Sequence, residues 1–241
     1  IPKIVLLNGD DKYLSKIKLP KVFKVFFFGQ GKNCDFRATD VSFENNKLKF
    51  TLNKKHRFYL SSLGRFNIYN ALSGIGCGII FGVGMADIKE SLENFQLPQN
   101  RLSKIDCRGF SIIDDTYNSN PLSLMRAIES LAEYQATGRR ILVMGDMLEL
   151  GKSTRELHKQ IGRFISRKPL DMLVTLGALS RVTADTLKSS ARGGKNIFTF
   201  DSKIELTHFL KNSIRPGDVL LVKGSRLLRM EDITNSLIKM E

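Results

Sequence analysis

From about residue 108 onward the chain alternates between short apolar runs and amphipathic stretches, and that order leaves few folds open. Strands are expected at 110–115, 139–145, 172–177, 197–200 and 218–224, each followed by a helical segment. Strand-helix repetition of this kind predicts a parallel, right-handed α/β sheet of Rossmann type. Such sheets gather their ligands at the C-terminal ends of their strands.

The polar end of the first of these strands is the richest stretch of the chain. Phe110, Ile112 and Ile113 supply the strand, Asp114 to Asn120 the turn, and Asn120 caps a helix that begins with Pro121, whose φ is already helical. Leu124, Met125, Ile128, Leu131 and Ala132 form the buried face of that helix, and Gly138 lies where it should have ended. Asp114 and Asp115 point to opposite sides of the strand, so at most one faces a given ligand.

Three later stretches bear on function. Gly145 to Ser153 imitates a phosphate-binding P-loop, but five residues separate its glycines where four are required, and Asp146 and Glu149 would place negative charge in the cradle. The helix after it carries a Ser153-x-x-Glu156 capping box and a stripe of Leu157, Ile161, Phe164 and Ile165, while His158 reads as a surface or packing histidine, with no nucleophile beside it. Lys223-Gly224-Ser225-Arg226 ends the last strand with small residues and positive charge, which suits a carboxylate or phosphate as well as a solvated turn.

The first hundred residues follow a different pattern. A short strand at residues 4–8 ends in Asn8, and Gly9-Asp10-Asp11 turns into a brief helix. Val22 to Gly29, with three consecutive Phe, is expected to be buried on both faces. Phe36–Asn45, Lys47–Leu52 and Arg57–Ser62 alternate as antiparallel strands do, with Asn45-Asn46 as the hairpin turn. Gly64 to Ala71 opens a helix with Ile68, Leu72, Ile75 and Ile79 inward; Asn67 and Asn70 share another face, as caps or as partners for an adenine edge. Gly74 and Gly78 each cost that helix about 1 kcal/mol relative to Ala, which predicts close approach of another backbone. A second helix, Ala86–Phe95, leads into a loop at Gln96–Arg108 that marks the domain boundary.

At 241 residues, 42% of them hydrophobic, the chain holds enough core for two small domains. It opens on Ile1-Pro2 without an initiator Met, as a piece of a longer protein would. No apolar run reaches the roughly 18 residues of a membrane span. Three scattered cysteines and three scattered histidines make no metal-ligand spacing, and they fit a reducing cytoplasm. The net charge of +14 would admit nucleic acid, yet it divides almost evenly, +8 before residue 108 and +6 after, with no Arg-rich helix or interleaved aromatics. A solvated lysine surface is the stronger reading; a non-catalytic basic α/β protein that holds a nucleotide or nucleic acid is the alternative.

Taken together, Leu7–Asp11, Gly64–Asn70, Asp114–Pro121, Met144–Gly151 and Val222–Arg226 resemble the Mur ligases, and among them the branch that adds D-alanyl-D-alanine to a UDP-N-acetylmuramoyl tripeptide. The resemblance implies the C-terminal part of a central ATPase domain with a β-rich appendage over residues 1–100, then a Rossmann-like C-terminal domain over 101–241. It also implies an ATP-dependent, ADP-forming ligase of peptidoglycan synthesis working through an acyl phosphate, cytoplasmic and monomeric. By the same resemblance Asn67, Asn70, Arg101, Asp115 and Tyr117 bind the nucleotide, while Asn118, Asn120, Lys223 and Ser225 receive the amino substrate. The catalytic groups, the P-loop and the magnesium ligands are expected upstream of Ile1, which leaves this stretch inactive alone. Phe66 stands where the family usually has His.

Overall fold

A computed structural model describes residues 3–44, 47–190 and 196–240. They divide into two units, Ile1–Gln96 and Leu97–Glu241; the expected boundary lay at 100/101.

In the first unit, β1 (Lys3–Asn8), β2 (Phe23–Gly29), β3 (Phe36–Glu44), β4 (Lys47–Leu52) and β5 (His56–Leu60) form one mixed sheet in chain order. β1, β2 and β3 pair in parallel, and β3, β4 and β5 antiparallel. Asn45-Asn46, the expected hairpin turn, lies outside the described residues. Strand alternation turns Phe36, Ala38, Leu48, Phe50, Leu52, Phe58 and Leu60 inward, against Ile68, Leu72 and Ile75 of α1 (Asn67–Ile80) and Ile88 of α2 (Met85–Glu93).

Two expectations fail in this unit. The triple-Phe strand is not buried on both faces: Phe26 and Phe28 pack toward the core yet, like Phe23 and Phe27, are only half-buried, and Lys24 is exposed. At neither Gly74 nor Gly78 is a backbone atom among the nearest neighbours of a would-be Cβ. Gly74 has no atom within 4 Å of a would-be Cβ, and at Gly78 the neighbour is the Ile88 side chain at 3.0 Å.

The second unit is a six-stranded sheet in the order β10-β9-β8-β11-β7-β6. Its strands are β6 (Ser103–Cys107), β7 (Phe110–Asp114), β8 (Arg140–Gly145), β9 (Met172–Leu176), β10 (Asn196–Phe200) and β11 (Val219–Lys223). All pairs are parallel except β6 with β7. β6 is a correction: it lies inside the segment expected to be a boundary loop, and it makes the sheet mixed. Ile105 and Cys107, two apart, pack on the same core, which is enough to seat a short edge strand.

Ile112, Ile141, Val143, Val174, Leu220 and Val222 line one face of this sheet, packed against Leu206 and Leu210 of α6 (Lys203–Ser213) and Ile233 and Leu237 of α7 (Glu231–Ile238). α3 (Pro121–Glu133), α4 (Thr154–Ile165) and α5 (Ala178–Lys188) are the other helices of the unit, with α3 packed on β8 and β11 and α5 on β9. The α3 start is as expected: Asn120 Oδ1 accepts the Ser123 N–H at 2.8 Å, and Ser123 Oγ accepts from Asn120 N at 3.1 Å. The capping box expected at Ser153 is absent, because a 3-10 turn at Gly151–Ser153 already holds Ser153 in a helical conformation. Gly138 closes no helix; α3 ends at Glu133 with Tyr134 as its C-cap, and a Cβ at Gly138 would meet the Gly217 carbonyl carbon at 2.5 Å.

Candidate functional site

The register of β11 on β7 sets Val222 beside Asp114, and therefore Lys223 beside Asp115, at the C-terminal ends of two adjacent strands. The two successive aspartates do face opposite sides. Asp114 turns toward α7 and is buried; its Oδ1 accepts from Thr116 N (3.1 Å) and Thr116 Oγ1 (2.7 Å), and Thr234 Oγ1 lies 3.5 Å from Oδ2. Burial pushes this carboxyl up, against the pull of the Thr116 hydrogen bonds.

Asp115 turns to the other side and meets Lys223. Nζ of Lys223 donates to Asp115 Oδ2 at 2.6 Å and to the Asn118 carbonyl at 2.7 Å, while Asp115 Oδ1 accepts the Leu102 N–H at 3.2 Å. Burial pushes the Asp115 carboxyl up and the Lys223 ammonium down, and the ion pair between them opposes both shifts. Two further contacts seat the segment before β6 on the same turn. The Tyr117 N–H donates to the Asn100 carbonyl at 3.0 Å, and the Arg101 guanidinium lies 4.0 Å over the Tyr117 ring centroid.

The expected site residues thus separate by exposure. In the second unit Arg101, Tyr117, Asn118 and Asn120 are exposed around the turn, whereas Asp115, Lys223 and Ser225 stand behind them, mostly or wholly out of solvent. Ser225 Oγ accepts the Leu148 N–H at 2.8 Å, so it holds the Gly145–Gly151 loop. In the first unit Asn67 is buried, with Nδ2 donating to Ser62 Oγ (2.6 Å) and the Leu63 carbonyl (2.7 Å); its Oδ1 accepts from Asn70 Nδ2 at 2.9 Å. Asn70 is exposed.

Several groups that shape the site have no local sequence signal. Asp146 Oδ1 accepts the Ser180 N–H at 2.6 Å, so the carboxylate that spoils the P-loop likeness caps α5, 34 residues away. The His158 ring is buried: Nδ1 donates to the Thr154 carbonyl at 2.8 Å, which leaves Nε2 to accept the Met147 N–H at 3.2 Å. It is a packing histidine that pins the same loop as Ser225. Leu102, at φ 52 in the left-handed region, is held there by Asp115. Among the described residues no group of three or more His, Cys, Asp or Glu side chains is placed to hold a metal ion.

A doubly wound α/β unit with a polar turn at the C-terminal ends of its strands is an architecture that holds ligands there. Residues 100–226 match the profile described as "Mur ligase, glutamate ligase domain", and residues 1–78 match "Mur ligase middle domain". The UDP-N-acetylmuramoyl-tripeptide–D-alanyl-D-alanine ligase of Bacillus subtilis is 33% identical over 88% of this chain and 47% of its own length. The UDP-N-acetylmuramate–L-alanine ligase of Persephonella marina is 27% identical over 98% of the chain and 52% of its own. The crystal structure of MurF from Acinetobacter baumannii superposes with a TM-score of 0.84 at 25% identity, over 99% of this chain and 52% of that one. The chain belongs to the Mur ligase family, whose members are ATP-dependent ligases, and comprises matches to its middle and C-terminal domains. It spans about half the length of the curated relatives it matches.

Proposed function

We propose that this chain is the amine-handling and part of the nucleotide-handling portion of a ligase that joins D-alanyl-D-alanine to a UDP-N-acetylmuramoyl tripeptide in peptidoglycan precursor synthesis. ATP phosphorylates the terminal carboxylate of the peptide, releasing ADP; the amine of D-alanyl-D-alanine then attacks the acyl carbon, loses a proton and expels phosphate. The observation that carries the reading is the turn Asp115–Asn120, with exposed polar groups on the outside and Lys223 behind it. The chain's likeness to the Bacillus subtilis ligase supports D-alanyl-D-alanine as the amino substrate.

In this reading Arg101, Tyr117 and Asn70, with Asn67 orienting Asn70, serve the nucleotide. Asn118 and Asn120, with Ser225 fixing the neighbouring loop, serve the amino substrate; Asp115 and Lys223 join the two sets. The β- and γ-phosphates and magnesium are assigned to residues outside this stretch, so the chain alone is expected to release no phosphate from ATP. The substrates place the reaction in the cytoplasm, and among the described residues no helix is long and apolar enough to cross a membrane.

The test is amide formation by the whole protein that carries this chain, with ATP, magnesium and the UDP-muramoyl tripeptide. Phosphate release that depends on D-alanyl-D-alanine is expected. Release that instead requires L-alanine and UDP-N-acetylmuramate would move the protein to the other branch that its relatives include.

A further inference from the structure

The proposed reaction gives Asp10 no work, yet its carboxylate gathers three donors from two other elements of the first unit. Oδ2 accepts the Gln30 N–H at 2.7 Å and the Tyr69 hydroxyl at 3.1 Å, and Oδ1 accepts the Gly31 N–H at 2.9 Å. Tyr69 is tied a second time, because Gln30 Nε2 donates to its hydroxyl oxygen at 3.2 Å. The meeting follows from the topology: β1 and β2 are adjacent and parallel, so the turns that leave them lie together at the C-terminal ends of both strands. Glycines on either side of Gln30 make room for the carboxylate. A Cβ at Gly29 would lie 2.8 Å from the Asp10 carboxyl carbon, and one at Gly31 would lie 2.7 Å from Oδ1.

Tyr69 stands in the first turn of α1, between Asn67 and Asn70, and that helix end needs help. Its N-cap, Phe66, makes no side-chain cap, its first turn has no acidic residue, and Gly74, Gly76 and Gly78 lower the helix's intrinsic stability. Two ties hold the turn instead. Asn67 reaches inward to Ser62 Oγ and the Leu63 carbonyl, and Tyr69 reaches to Asp10. Asn70 follows directly, exposed, with one amide hydrogen on Asn67 Oδ1 at 2.9 Å. An amide held in this way can offer its other hydrogen and its oxygen together, the pairing that an adenine edge takes at N7 and N6.

We propose that Asp10 is a positioning residue for the nucleotide: through Tyr69 it fixes the first turn of α1, so that the Asn70 amide meets the base edge at one angle. The inference rests on the ligase reading for the nucleotide, and on the geometry alone for the tie between Asp10 and α1. An amide that reads a base discriminates by its angle, so loosening the tie blunts the choice of base more than the rate of the chemistry.

Two measurements test it. The first is steady-state kinetics of the whole ligase with ATP and with GTP. Asp10→Ala is expected to raise KM for ATP about tenfold, to leave KM for D-alanyl-D-alanine unchanged, and to lower the ratio of kcat/KM for ATP over GTP at least about fivefold. Tyr69→Phe keeps the ring and removes only the hydroxyl, so it should move KM for ATP and the ratio in the same direction, with the double variant no worse than Asp10→Ala. Should Asp10→Ala fail to fold, Tyr69→Phe gives the same answer. A loss of folded enzyme lowers kcat for both nucleotides and leaves the ratio as it was, so an unchanged ratio overturns the inference. The second needs no substrate: amide hydrogen exchange in the chain itself. With Tyr69→Phe the Ile68 amide, bonded to the Arg65 carbonyl at 3.1 Å, is expected to exchange at least about fivefold faster, while that of Val174 in β9 is unchanged. Equal protection at Ile68 overturns the tie, and faster exchange with an unchanged base preference makes Asp10 a clasp of the fold alone, which also sinks the inference. A whole protein that forms no amide overturns the ligase reading instead, and the exchange measurement then decides the tie by itself.

Discussion

Asp114 and Asp218 show how two buried carboxylates in one sheet come to opposite protonation behaviour. Burial raises the Asp114 carboxyl, and the Thr116 hydrogen bonds only partly offset it. Its folded form holds the proton more tightly than the unfolded form does, so its contribution to stability is present below the ordinary carboxylate range near pH 4 and is lost as pH climbs through the raised value. Asp114→Asn keeps an acceptor for Thr116 and removes the charge. Denaturant melts at pH 7 should therefore show stability unchanged or higher by up to about 1 kcal/mol; a loss of several would mean that the ionised form is needed. At Asp218 burial pulls the same way, but the Arg139 side chain and the Arg139 and Arg215 N–H groups overcome it and hold the carboxyl below its usual range. That contribution is present above the ordinary range and disappears as pH falls through the depressed value. Asp218→Asn leaves the Arg139 guanidinium without its carboxylate, at an expected cost of about 3 kcal/mol in the same melts. Asp218 precedes β11, at the sheet end opposite Lys223, so ligand binding should be spared.

At the scale of elements, the helix after the turn is the clearest case of a local signal obeyed. Asn120→Ala should cost about 1 kcal/mol in unfolding free energy, since the Ser123 N–H loses its acceptor; a change near zero would show that Ser123 or water replaces it. Residues 121–133 were readable because cap, proline and apolar stripe agree within one short window, and the strands after residue 108 because each is a run of aliphatic residues closed by small or polar ones. β6 was not readable: Ser103–Cys107 is short, polar on alternate positions and lodged between loop signals, and its pairing to β7 supplies what its own sequence lacks. The Ser153 box fails for a related reason, as a 3-10 turn ahead of the helix takes the place of a cap. The site was legible residue by residue but not in its connections. Asp115 and Lys223 each stand out as polar groups at strand ends, yet nothing in a linear reading says that the last strand lies beside the first of the alternating series. Asp146 on Ser180 and His158 on Met147 are likewise pairings that only the packed sheet creates.

For the whole molecule, the second unit is expected to fold by itself only if β6 is kept. A polypeptide of residues 97–241 should give a cooperative melt, whereas one starting at 108 lacks β6 and the Leu102 N–H on Asp115, and it bares the edge of β7. Calorimetry on the two, with a markedly lower midpoint or aggregation for the shorter, checks this; equal midpoints would make β6 dispensable. The position of β11 carries a consequence for synthesis. Five of the six strands precede it in the chain, yet it alone joins β8 to β7. A nascent chain that has reached Phe200 holds two sheet fragments, β6 with β7 and β8 with β9 and β10, each with an unmet edge and no ladder between them. Val219–Lys223 is the keystone, so the ribosome cannot deliver this unit in stable instalments: protection from proteases and from self-association arrives in one late step, when that strand slides into the gap.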